Sequence, residues 1–391
     1  GQMWGCTADH GGCRPWLDGL YLQISTRFAR SEPRHRALSY LHGLVGSGGR
    51  PGGRSLAGRV GDPRSDGVRS DGVQRLLTAA SWDEDLVRDD VRAFVLRHLG
   101  QERSVLCAAE TGFAKRGDHS AAVGRQFCQE TRRVENCQLG LFLLHSSWLG
   151  QVAAIDRELY LPRQWESDRR RRTLTGIDGD LRYRSKIELV RQMVARALEA
   201  RLRPQWVVVD LVGDATALRT MLERSRVQYL IGVGPDAVAS LGPAGAAALR
   251  IGRLAAATPT GAKGWRQGAR PRSGALPVRV QLGPAADPAF TRSVLVQPAG
   301  PGRAVTGYHL CYALREPSAA ALDPAAALGE AAAAARCWYE ARHEVGLDHY
   351  EVRSWRGWYR HVTLAMAAHA AVQVARLPAN QAASVLGRPS R

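Results

Sequence analysis

The run Val105-Leu-Cys-Ala-Ala-Glu-Thr-Gly-Phe113 does most to limit what this chain can become. It is apolar for most of its length and ends in small residues, as a buried strand does when it reaches a turn. A second run of this kind, Gln205-Trp-Val-Val-Val-Asp210, is β-branched and ends on a carboxylate. Between the two, 138–145 and 150–159 predict further strands, Arg116-Gly-Asp-His119 supplies a turn, and 186–201 predicts an amphipathic helix. The expected fold is α/β, a mixed sheet flanked by helices.

Residues 1–104 read as a mostly helical domain that could dock on DNA or serve as a helical cap. Leu38, Leu41 and Val45 recur at helical spacing behind the basic cluster Arg30, Arg34, His35 and Arg36, and 72–78 and 81–99 predict two more helices. Ser81 with Glu84 forms a capping box, and Gly100 closes that helix. A glycine-rich breaker spans 46–53, and the pentapeptide Arg64-Ser-Asp-Gly-Val68 repeats as Arg69-Ser-Asp-Gly-Val73, a loop duplication. Beyond Asp210, 230–234 predicts a strand, and 235–305 reads as a β-rich insertion with strand pieces at 278–282 and 292–296. A strand at 308–313, an Ala-rich helix at 319–343 and a core-packing helix at 359–374 complete a domain over 105–370, followed by a tail over 371–391.

A net charge of +18 and a pI near 10.4 attract polyanions, with nucleic acid the natural candidate. Only Lys115, Lys186 and Lys263 accompany the arginines, so part of the bias fits a GC-rich genome. Seven cysteines without CxxC pairs support neither a zinc site nor a disulfide framework. Cys107, Cys128 and Cys137, with His119 and His145 in the same region, could form a thiol nucleophile and base, although cysteines on apolar strands are usually inert core residues. No apolar run approaches the ~20 residues of a membrane span, and no secretory leader is evident, so cytoplasmic residence is the expectation.

Several blocks, in order over about 25–370, resemble the DDE transposases of bacterial insertion sequences. They are 28–34 with Tyr40-Leu-His-Gly-Leu44, Ser81-Trp-Asp83 with Val87-Arg-Asp-Asp90, Glu110-Thr-Gly-Phe113, Val134-Glu-Asn-Cys-Gln-Leu-Gly140, Ile155-Asp-Arg-Glu-Leu-Tyr-Leu-Pro162, and Glu344-Val-Gly-Leu-Asp-His-Tyr350 with Trp358-Tyr-Arg-His361. The resemblance implies an RNase H-like fold and phosphoryl transfer by two Mg²⁺ ions held on three carboxylates. It places the second carboxylate on Asp210, the first on Ala109 and the third on Ala335. The signature helix of this group carries Tyr, Arg, Glu and Lys; its positions here are Leu328, Ala331, Ala335 and Arg342, of which only Arg342 keeps its charge. Because Leu328 and Ala331 also depart from the pattern, natural degeneration or repurposing explains the alanines better than an engineered double change.

The expectation is therefore a transposase-derived DNA-binding protein with Asp210 as a lone, vestigial metal ligand, no cofactor, and no intact nuclease. Arg169, Arg170, Arg171 and Arg172, with Arg353, Arg356 and Arg360 around Trp355 and Trp358, are the candidate contacts to double-stranded DNA. New chemistry in the vacated cleft, with a small-molecule ligand, is the alternative, and a decayed transposase the third. A homodimer is compatible with the sequence.

Overall fold

The computed structural model describes residues 12–45, 71–128, 131–240, 248–253, 278–282, 284–298, 305–350 and 352–378. The glycine-rich breaker, the tandem repeat as far as residue 70 and the tail beyond 378 lie outside the described residues.

Four helices come first: α1 (Arg14–Ile24), α2 (Ser31–Val45), α3 (Asp71–Thr78) and α4 (Glu84–Leu99). The capping box expected at Ser81 is not used. Asp83 is the N-cap of α4, its carboxylate accepting from the N–H groups of Asp85 and Leu86, and Glu84 is drawn away to Arg356 and Arg360. Gly100, at φ 73°, ends the helix as expected.

The chain then builds the sheet. The antiparallel strands β1 (Val105–Ala114), β3 (Arg133–Ser146) and β4 (Val152–Leu159) form its first half, and β2 (Gly124–Cys128), which the sequence did not signal, shares the outer edge of β3 with β4. On the other side of β1 lie β5 (Trp206–Val209) and β6 (Gln228–Val233), both parallel to it. The order β4-β3-β1-β5-β6 is the RNase H-like arrangement, a mixed sheet flanked by helices.

Beyond Val233, β7 (Val238–Ser240) and β8 (Ala248–Arg250) form a small ladder of their own. By contrast β9 (Val278–Gln281), β10 (Phe290–Pro298) and β11 (Val305–Leu314) continue the main sheet from β6. The strand pieces within 235–305 are thus part of the sheet, paired through β11.

Helices α5 (Arg169–Thr175), α6 (Lys186–Glu199) and α7 (Thr216–Arg224) follow the meander, and α8 (Pro324–Ala341) and α9 (Trp355–Ala375) close the chain. Both α5 and α7 escape the sequence reading. Each is shorter than three turns, and the four arginines of α5 give no apolar stripe. Every residue from Val362 to Val374 of α9 is buried, because this helix lies between β4 on one side and α1 to α4 on the other. One continuous core therefore runs from Leu17, Tyr40 and Phe94 of the helical region to Phe142, Trp338 and Trp358 of the sheet region. Among the described residues, no helix is long and apolar enough to cross a membrane.

The blocks that carry the family resemblance meet one another in this core. Tyr40 Oη lies 2.6 Å from His361 Nδ1, and Tyr350 Oη donates to Gln138 Oε1 at 2.6 Å. Arg360 donates to the carbonyls of Ala80 and Trp82 and stands over the Trp82 ring. Asp156, fully buried, accepts from Arg196 at 2.8 Å and faces Arg88 at 3.5 Å; its neighbour Arg157 donates to Asp85 at 2.8 Å and to Thr363 Oγ1 at 2.9 Å. Buried charges persist only when each is paired in this way.

Candidate functional site

The sheet register decides which side chains share the carboxyl end of β1. The parallel pairing of β1 with β5 ends at Ala108 and Val209, which leaves Ala109 and Asp210 level on adjacent strands. The pairing of β5 with β6 ends at Val209 and Ile231, so Gly232 is next in line, and Gly232 pairs with His309 of β11. Ala109, Asp210, Gly232 and His309 thus form one row across four strands. Strand partners at one level project to the same face.

That face looks toward α8. Phe142, the partner of Ala109 on β3, packs its ring 4.8 Å from Trp338, and Trp206, two alternations before Asp210, donates through Nε1 to the carbonyl of Leu322 at the approach to α8. Ala335, one turn before Trp338, is half-buried, and Leu328 and Ala331 are buried in the same interface. Glu110 alternates to the opposite face, where it is 5% exposed and pairs with Lys186 at the start of α6. It therefore cannot stand in for an acid at Ala109.

Among the described residues, none of Glu330, Asp214 and Glu340 makes up the number. Glu330 of α8 accepts from Ser146 Oγ at 2.5 Å; Ser146 pairs with Val105, four residues or about 13 Å down the strand from Ala109. Asp214 caps the loop before α7 by accepting from the N–H of Thr216 at 3.0 Å, a bond that holds its carboxyl below the ordinary range. Glu340 is exposed. Two hard divalent cations need several shared oxygen ligands, and this donor set does not fit them.

Asp210 has one partner that the sequence reading missed. His309 Nε2 lies 3.1 Å from Asp210 Oδ1, and this hydrogen bond holds the Asp210 carboxyl below its ordinary value. The imidazole is buried at 1% exposure, whereas the carboxylate is largely in solvent at 77%. Because His309 Nδ1 is buried without an acceptor, the economical assignment puts the proton on Nε2, donated to a carboxylate. Gly232 makes the contact feasible: a Cβ there would stand 3.3 Å from Asp210 Oδ1 and from the backbone N of Leu211. A glycine inside a strand marks such a close approach, and it was the available signal.

The arginines proposed for DNA divide into two sets. Arg169 and Arg170 are exposed at the start of α5, as are Arg353 and Arg356 at the start of α9. Arg172 is buried and donates to the carbonyls of Trp165, Asp178 and Leu181, so it serves the fold of this loop. Arg171 is taken up by Asp168 and stacks over Trp165 at 4.4 Å. Arg360 is 1% exposed among the carbonyls of Ala80 and Trp82, and Trp358 is wholly buried edge-on to Phe113. Neither Arg360 nor Trp358 can reach a ligand, because α9 is covered on all sides beyond its first turn. Arg342 closes α8 with its guanidinium on Tyr339 Oη and His343 Nε2, both at 3.1 Å.

A polar cleft of about 360 Å³ adjoins the start of α9, lined by Glu84, Glu158, Arg182, Arg184, Trp355 and Arg356 among others. It opens at the edge of the sheet next to β4, away from the row that holds Asp210.

The family model described as DDE superfamily endonuclease matches residues 23–264, more than half of the chain. The match contains Ala109 and Asp210 and stops before α8. A comparison with curated proteins returns no match.

Proposed function

The chain belongs to the DDE superfamily endonucleases, and on that premise we propose that it is a transposase-derived DNA-binding protein that has lost nuclease chemistry and acts as a regulator or architectural factor. The observation that carries this reading is the row at the carboxyl end of β1: Ala109, Asp210, Gly232 and His309 offer one carboxylate where two-metal phosphoryl transfer requires several. Affinity for duplex DNA rests on the net charge of +18 and on the exposed Arg169, Arg170, Arg353 and Arg356. DNA binding implies cytoplasmic, nucleoid-associated residence, and a homodimer fits a two-ended target.

The test is duplex binding across a salt series, with supercoiled plasmid incubated in Mg²⁺ and Mn²⁺. Binding should weaken steeply with salt, and replacing the four exposed arginines by glutamine should lower the salt slope by about one for each phosphate that is no longer neutralised. The plasmid should remain supercoiled. Absence of any duplex affinity at low salt sinks the DNA reading, and metal-dependent nicking that vanishes in Asp210→Asn sinks the claim of lost nuclease chemistry.

A second reading, new chemistry in the former cleft, is favoured by the support of an exposed carboxylate by a buried imidazole, the arrangement of an oriented general base. It requires a turnover that is lost in both Asp210→Asn and His309→Gln.

A further inference from the structure

A second cluster of metal-capable side chains lies beyond the end of α8, apart from the row that holds Asp210. Among the described residues, His343, Asp348 and His349 form the one group whose three ligand atoms all fall within 4.8 Å of one another. The backbone that gathers them is fixed. Gly346 adopts φ 57°, in the left-handed region, and lets the chain fold back so that the N–H of Leu347 reaches the carbonyl of Arg342 and that of His349 reaches Gly346. Val345, Leu347 and Tyr350 are buried and anchor the turn, while the three polar side chains remain half-buried at its rim.

The carboxylate of Asp348 stands between the two imidazoles. His343 Nδ1 stands 3.6 Å from Asp348 Oδ2, and His349 Nε2 stands 3.5 Å from Asp348 Oδ1. The two contacts run to different oxygens of the one carboxylate, so Asp348 joins the two imidazoles; the three ligand atoms lie within 4.8 Å of one another, and small side-chain adjustments bring them to the edge of about 3.4 Å in a tetrahedron with metal–ligand bonds of about 2.1 Å. Asp348 Oδ1 is moreover a buried oxygen without a hydrogen-bond partner. Such an atom is costly to leave unsatisfied.

We propose that His343, Asp348 and His349 form a site for one borderline transition-metal ion of the Zn²⁺ or Co²⁺ class, with a remaining coordination position open to water. Two imidazoles and one carboxylate suit such ions and give no advantage to Mg²⁺, which prefers oxygen ligands. The proposal is independent of DNA binding and of the Asp210 row.

Arg342 opposes the ion. Its Nε–H donates to His343 Nε2 at 3.1 Å, which puts the His343 proton on Nδ1, facing Asp348. Coordination through Nδ1 moves that proton to Nε2, so Arg342 must release the ring while it keeps its place over the Tyr339 ring at 4.1 Å. Lys115, over the Tyr350 ring at 3.7 Å, also interacts electrostatically with Asp348.

The experiment uses the full chain stripped with chelator and titrated with Co²⁺ by visible absorption, then with Zn²⁺ in competition. One equivalent should bind with tetrahedral d–d bands, and excess Mg²⁺ should not displace it. His343→Ala and His349→Ala, half-buried positions whose variants should keep the fold by circular dichroism, should each weaken binding at least roughly tenfold. Arg342→Ala should tighten it, and ring nitrogen shifts of His343 should report the change of tautomer. No saturable one-to-one binding, binding unchanged in the His343→Ala/His349→Ala double variant, or equal affinity for Mg²⁺ would each overturn the proposal.

Discussion

Two polar regions flank the same sheet and have opposite constraints. Around β4, Asp156 and Glu158 sit with Arg88, Arg157 and Arg196 in a network that is almost wholly buried, and every charge has a partner. At the carboxyl end of β1, Asp210 is exposed and its level neighbour is a methyl group. The difference follows from desolvation. Removing one partner from a buried network strands the others away from water, whereas acids gathered at a surface repel each other unless a metal holds them, and can be lost with little effect on folding. The residues at that end of the sheet can therefore change while the architecture is kept.

The contrast is most open to challenge at its buried half. Asp156→Ala should cost about 3–5 kcal/mol in chemical denaturation, because Arg196 loses its acceptor and Arg88 and Arg157 lose a nearby counter-charge. A loss as small as that of a surface change would remove the contrast.

Acid should act on the buried half next. Burial pushes His145 and His361 down to about 4 and His369 down to about 3. The unfolded chain protonates near 6.5, so the stability these groups contribute is complete above about pH 6.5 and is lost as pH falls through the window down to the folded values. Each group is worth on the order of 3 kcal/mol over that window. The slope of unfolding free energy against pH between 6.5 and 4 measures this, and His361→Gln, which keeps a donor for the Leu347 carbonyl, should flatten it.

Placing acids beside Asp210 probes the other half. The pair Ala109→Asp and Ala335→Glu should destabilise the chelated protein by roughly 1–3 kcal/mol, and Mn²⁺ should recover that loss in the variant while leaving the parent unchanged. A melting temperature indifferent to Mn²⁺ in the variant would show that the row does not frame a metal. Smallest of all, Asp210→Asn should shift stability by no more than about 0.5 kcal/mol at neutral pH. Because His309 depresses the Asp210 carboxyl, its contribution is complete above the ordinary value near 3.9 and fades only as pH falls through the lower folded value. Parent and Asn variant should therefore converge at the acid end of the titration.

The sheet was legible from sequence because buried strands announce themselves: Val105 to Ala109 and Trp206 to Val209 lie where their apolar runs put them, with Asp210 at the expected end. His309 was not legible, since a histidine among the aromatics of a strand reads as core and only the β6–β11 register shows what it faces. The arginines misled for a related reason. Charge alone does not say that α5 turns Arg172 inward, or that α9 is covered all round and takes Arg360 and Trp358 with it. Composition is averaged over a chain, whereas burial is decided by partners far along it.

The position of α9 has a consequence for how the protein comes into being. The helices at the start of the chain find their packing surface on a segment made some three hundred residues later. During synthesis α1 to α4 leave the ribosome without their main apolar partner and must wait for it with hydrophobic faces uncovered, a situation that invites chaperone holding and slow final assembly. A nascent chain arrested before residue 355 should remain sensitive to protease in its first hundred residues, and become resistant only once the last helix has emerged.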